Sequence, residues 1–189
     1  MRLGDAVSVL RIGLSAAFLL SFRAEYGALF VVSLACAVLA QISDHIDGYL
    51  IRKYAAPTLM GWVIDSFADR AFYIAALLAF QREFGLSELL VWAFTLREIC
   101  LYAARVLVGD FQVILSSFRK LALIHAGFIR LGIAIECLVP FNAFSSGEKD
   151  VLSECALALF WIATAMGYYN LYVLFRAQRL FARRDTPRE

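Results

Sequence analysis

Six apolar stretches, each about as long as a bilayer-crossing helix, fill most of this chain: residues 7–22, 27–49, 58–80, 87–108, 121–141 and 153–175. A spanning helix needs about 20 largely apolar residues, and in lipid only helices or closed barrels satisfy their backbone polar groups. Of 189 residues, 62% are apolar and 18% charged, with a mean hydropathy of +0.72, a balance foreign to soluble domains of this size. The expectation is an all-α fold, an integral membrane bundle of six transmembrane helices, forming a single domain over residues 1–189. Residues 1–6 are too short and too weakly basic for a signal-peptide n-region, and no small-residue cleavage site follows the first apolar stretch. The first helix is therefore expected to be retained.

Charge in the loops sets the orientation. Arg52 and Lys53 follow the second stretch, Arg119 and Lys120 precede the fifth, and Arg176, Arg179, Arg183, Arg184 and Arg188 lie in the tail. The opposite loops hold only Arg23, Arg82 and Lys149. Nine basic residues against three predict that both termini, and the loops between stretches 2 and 3 and between 4 and 5, face the cytoplasm, as in a bacterial-type inner membrane. The tail arginines read as that positive-inside anchor, with contact to anionic lipid headgroups as the alternative. The net charge of +2 hides the asymmetry and gives no indication of nucleic acid. Cys36, Cys100, Cys137 and Cys155 stand singly in apolar segments without paired spacing, which predicts buried packing residues. Residues 142–150 read as a polar turn on the outer face.

Against this apolar background the charges inside the stretches carry the chemistry. Asp44, Asp47, Gly48 and Arg52 stand at i, i+3, i+4 and i+8, and Gly61, Asp65 and Asp69 at i, i+4 and i+8. Each set forms one stripe along a helix. A single aspartate near the bilayer centre costs about 2.5–3.5 kcal/mol on insertion scales, and four around one site repel one another. Magnesium or manganese takes carboxylate oxygens together with waters and substrate phosphates. A fourfold negative cluster invites two such ions, which would neutralise it and clamp an in-line displacement at phosphorus.

The stretch reads D-x2-D-G-x2-I-R-x8-G-x3-D-x3-D, which resembles the CDP-alcohol phosphotransferase signature D-x2-D-G-x2-A-R-x8-G-x3-D-x3-D in seven of eight fixed positions. Chance coincidence at those offsets has odds on the order of one in 10⁹ per starting point. The departure is Ile51, where the family carries a small alanine beside the nucleotide. The resemblance implies a CDP-diacylglycerol donor, a small phosphorylated alcohol as acceptor, release of CMP, two divalent ions and a homodimer. It implies that Asp44, Asp47, Asp65 and Asp69 are metal ligands and that Asp69 is also the catalytic base. Gly48 and Gly61 match positions where the nucleotide approaches the helices, and Arg52 one that contacts its phosphates. Close helix packing is the alternative for the glycines.

The fourth stretch carries Arg97, Glu98 and Arg105 in the pattern R-E-I-x5-R, which resembles phosphatidylglycerophosphate synthases and implies glycerol 3-phosphate as acceptor. Arginines eight apart share a helix face and can grip an anionic head. The alternative is that Glu98 pairs with Arg97 or with another helix and holds the fold. Those synthases continue S-x2-G-K-x-K-T. Here Ser116 and Lys120 match, but Arg119 replaces the glycine, Ala122 the second lysine and Leu123 the threonine. That departure leaves inositol phosphate or phosphatidylglycerol open as acceptors, beside the expected acceptor set Arg97, Arg105, Arg119 and Lys120. The rival class is a non-catalytic lipid- or nucleotide-binding descendant. Near the start, VSVLR is similar to the family's opening segment, so Arg11 either lines the same cavity or snorkels to the interface. His125 reads as structural, and Arg130 is the better candidate for anion binding.

Overall fold

The computed structural model describes residues 3–54, 59–107, 112–141 and 144–182. They form six helices: α1 (Leu3–Ser21), α2 (Ala28–Tyr54), α3 (Leu59–Phe84), α4 (Glu88–Leu107), α5 (Gln112–Glu136) and α6 (Ser146–Ala182). Among the described residues there is no strand. The all-helical expectation and the helix count hold.

The ends follow local chemistry. The Gly27 carbonyl accepts the Val31 N–H at 3.0 Å and starts α2. Gly85, at φ 70°, donates its N–H to Gln81 O at 3.1 Å and stops α3 in a left-handed conformation that glycine adopts without strain. The helix α6 begins inside the segment read as a turn. There Glu148 accepts both the N–H and the Oγ–H of Ser145, each at 2.8 Å, so an orphan donor at the helix start finds a partner and the helix extends toward its N-terminus. The first helical residue of α5, Gln112, lies well before the expected 121, which takes Arg119 and Lys120 into the helix. Likewise α6 runs past 175 and carries Arg176 and Arg179.

In the packing, α1 lies against both α2 and α3, α5 pairs with α6, and α3 also touches α4 and α5. Phenylalanines fill one end of the bundle. The Phe22 and Phe80 rings meet edge to face at 5.1 Å, Phe18 and Phe72 at 5.6 Å, and Phe80 stacks on Phe160 of α6 at 6.3 Å. Such pairs contribute about 0.5–1.5 kcal/mol beyond their buried area. Phe80 lies about 16 Å along α3 from Asp69, given a rise of about 1.5 Å per residue. The bundle thus has an aromatic end and a charged end.

One described helical stretch, Ser146–Arg176, is long and apolar enough to cross a membrane, with mean hydropathy 1.5, while Ala6–Ser21 and Ala28–Ser43 are apolar but shorter. The cysteine expectation holds in part: Cys36 and Cys137 are buried, whereas Cys155 is exposed on the outward face of α6.

Candidate active site

The described centre of the charged end is Asp69. Its side chain is 32% exposed, and Arg11 Nη1 donates to its Oδ1 at 2.5 Å. Arg11 itself is 1% exposed, which removes the snorkelling reading: the guanidinium turns into the bundle because a carboxylate waits there. Its Nε donates to Ser43 Oγ at 3.2 Å, and Ser43 Oγ in turn donates to Ala40 O at 2.7 Å. One side chain of α1 therefore ties the last aspartate of the α3 stripe to the residue just before Asp44 on α2. Beside the pair, Arg11, Ala40, Gln41, Asp69, Phe72, Tyr73 and Arg130 line a cavity of about 10 Å³, room for about one water. Arg130 Nε donates to Tyr73 Oη at 3.0 Å, so α5 reaches this end through a second arginine.

The helical backbone of α2 carries Asp44, Asp47, Gly48 and Arg52, and that of α3 carries Gly61 and Asp65. Their side chains, with those of Ile51, Arg105, Arg119 and Lys120, lie outside the described residues. Among the described residues no group of three or more His, Cys, Asp or Glu is placed to hold a metal. The donor chemistry nevertheless fits a hard divalent cation. The carboxylates stand on two helices that Arg11 joins through Ser43 and Asp69, and oxygen donors of this kind suit magnesium or manganese.

A second charged cluster joins α3 to α4. Glu98, 3% exposed, accepts from Arg97 and pairs with Arg70 Nε at 2.9 Å. The interhelical ion-pair alternative for Glu98 is therefore present in the structure. Arg97, also 3% exposed, lies over Gly167 of α6, where a methyl group would collide with its guanidinium. Among the described residues its Nε has no hydrogen-bond partner. His125 is buried and stacks on Phe94, ring centroids 6.2 Å apart at 6°. Sequence reasoning singled out Asp69, Arg97 and Arg130 but missed Arg70, Ser43, Gln41 and Tyr73. Arg70 had a signal, as a charge inside an apolar segment; the other three had none.

The comparisons with known proteins bear on the family. The family model for CDP-alcohol phosphatidyltransferase matches residues 1–169. Three relatives are each named CDP-diacylglycerol–glycerol-3-phosphate 3-phosphatidyltransferase. The protein from Cereibacter sphaeroides is 27% identical, over 74% of this chain and 77% of its own length. That from Mycoplasma genitalium is 30% identical, over 69% of this chain and 53% of its own. The Sodalis glossinidius protein is 21% identical, over 77% of this chain and 79% of its own. The match across 1–169 takes in both aspartate stripes, and the chain is a member of the CDP-alcohol phosphatidyltransferase family.

Proposed function

We propose that this protein transfers a phosphatidyl group from CDP-diacylglycerol to glycerol 3-phosphate, releasing CMP. The observation that carries the reading is the Asp69 carboxylate at the end of the α3 stripe, joined through Arg11 to Ser43, the residue before the α2 stripe, in a chain whose family is established over residues 1–169. The relatives' names support glycerol 3-phosphate over inositol phosphate or phosphatidylglycerol.

In this reading Asp44, Asp47, Asp65 and Asp69 would hold two magnesium or manganese ions. Bound there, the ions would supply charge neutralisation at the phosphates and at the departing CMP oxygen. Asp69 takes the proton of the acceptor hydroxyl as its oxygen attacks the lipid-side phosphorus; the bond from that phosphorus to the CMP oxygen breaks, and CMP leaves with the electron pair. Gly48 and Gly61 let the nucleotide approach the helices, and Arg52 contacts its phosphates. Arg97, Arg105, Arg119 and Lys120 receive the acceptor phosphate through charge-assisted hydrogen bonds. The protein forms one domain of six membrane-spanning helices and acts as a homodimer. Both termini and the active site face the cytoplasm, supported by the basic residues Arg52 and Lys53 at the end of α2, Arg119 and Lys120 in the first part of α5, and those of the tail.

The test is magnesium-dependent CMP release from CDP-diacylglycerol in the purified full chain, with acceptors supplied one at a time. Release on adding glycerol 3-phosphate is expected. Release only with another alcohol would withdraw the acceptor, and no release with any acceptor from a well-folded preparation would favour a non-catalytic binding protein.

A further inference from the structure

We infer that Arg11 is a positioning residue for the transfer: from α1 it holds the Asp69 carboxylate in the orientation in which it receives the acceptor proton, and it keeps α2 in register with α3 through Ser43. The inference rests on the reading of Asp69 as the base. An aspartate on a helix has two rotatable side-chain bonds, and the outer one is broad and lacks sharp staggered wells. A carboxylate 32% exposed at the mouth of a polar site needs a partner to stay in one orientation.

Arg11 has the features of such a partner. It is 1% exposed, so packing already restricts its long side chain. Its planar guanidinium is held from two directions, Nε on Ser43 Oγ at 3.2 Å and Nη1 on Asp69 Oδ1 at 2.5 Å, which sets the rotation of the plane. The backbone beneath it is held as well, since Arg11 O accepts Ser15 Oγ at 2.8 Å. A lysine carries charge at a single nitrogen and lacks the fixed fork that addresses both partners. The contact spans 58 residues of sequence and joins three helices, which is more than neutralising one carboxylate requires.

A double-mutant cycle in the full-length chain separates this role from a scaffold role. Arg11→Gln, Arg11→Lys, Asp69→Asn and the Arg11→Gln/Asp69→Asn double variant are assayed for kcat, for donor and acceptor KM, and for melting temperature. Arg11→Gln is expected to lower kcat by about 10²-fold, the scale of a misplaced catalytic group, with donor KM little changed. In the Asp69→Asn background the same substitution should change turnover by no more than about twofold, because residues acting as a unit are not additive. Arg11→Lys should regain the wild-type melting temperature but only part of the kcat.

An equal loss from Arg11→Gln with and without Asp69 would overturn the inference, as would a raised donor KM at unchanged kcat, which marks a phosphate ligand. Wild-type kcat in Arg11→Lys would also overturn it, since charge alone would then suffice. If Arg11→Gln does not fold, Arg11→Lys enters the same cycle in its place. Near-normal turnover in Asp69→Asn defeats the base reading and this inference together. Collapse of Asp69→Asn with additive Arg11 effects defeats this inference alone.

Discussion

Asp69 and Arg97 carry opposite charge, and their substitutions should read out differently. Asp69→Asn is expected to lower turnover by about 10²–10⁴-fold, the usual span for a general base, with much of the donor affinity kept; steady-state kinetics with both substrates checks it. Arg97 has two duties in this reading, the ion pair with Glu98 and the acceptor phosphate. Losing one charge-assisted hydrogen bond to the phosphate removes roughly 1.5–3 kcal/mol, so Arg97→Gln should raise acceptor KM by about ten- to a hundredfold. Glu98→Gln should instead lower the melting temperature first, because the buried Arg97 would then lose the Glu98 carboxylate it pairs with, a loss of about 3–5 kcal/mol when a buried pair is broken. Equal changes in donor and acceptor KM for Arg97→Gln, with a lowered melting temperature, would reduce Arg97 to a scaffold residue.

Within α5, two glycines give a paired test of how closely the helices approach. A Cβ at Gly132 would stand 2.6 Å from Phe160 Cε1 of α6. That ring is fully buried and stacked on Phe80, so it has no room to retreat. Gly132→Ala should destabilise the bundle by about 1–3 kcal/mol through overpacking. Gly127, on the same helix, has nothing within 4 Å of its Cβ position, and Gly127→Ala should stabilise by about 0.5–1 kcal/mol through helix propensity. Thermal melts of the two variants in one detergent check the opposite signs. At the start of α6, the Ser145–Glu148 contact explains why a segment rich in turn-forming residues is helical: a satisfied cap outweighs the local composition.

For the molecule as a whole, the aromatic end closes with a clamp between the α1–α2 turn and the end of α3. Glu83 accepts the Ala24 N–H at 3.0 Å and Arg82 Nε at 2.8 Å, with Arg23 at 3.7 Å, beyond the apolar stretch 58–80. Burial alone would raise its pKa, but the Ala24 amide and then Arg82 and Arg23 outweigh that and hold it below the ordinary 4.5. A carboxylate with a lowered folded pKa contributes stability that is fully present above the unfolded value and is lost as pH falls through the folded one. The stability difference between wild type and Glu83→Gln should therefore be constant above pH 4.5 and vanish on further acidification. Denaturation midpoints measured across that range check it, and a difference that persisted at the acid end would remove the charge from the explanation.

The number of helices and their type were legible in the amino-acid order, as was the spacing of the aspartates along them. Each is a property of one segment: an apolar run of spanning length, or aspartates at i and i+4 such as Asp65 and Asp69, repeats with the helix turn whatever packs beside it. Partnership between helices was not legible. That Asp69 takes Arg11 from 58 residues away, that Glu98 stands between Arg97 and Arg70, and that Arg97 rests on Gly167 depend on the rotation and axial offset of helices packed together. No local period encodes those two quantities. They are set when buried phenylalanines such as Phe18, Phe22 and Phe80 pack without voids, because a closely packed interior accepts very few relative placements of the helices that fill it.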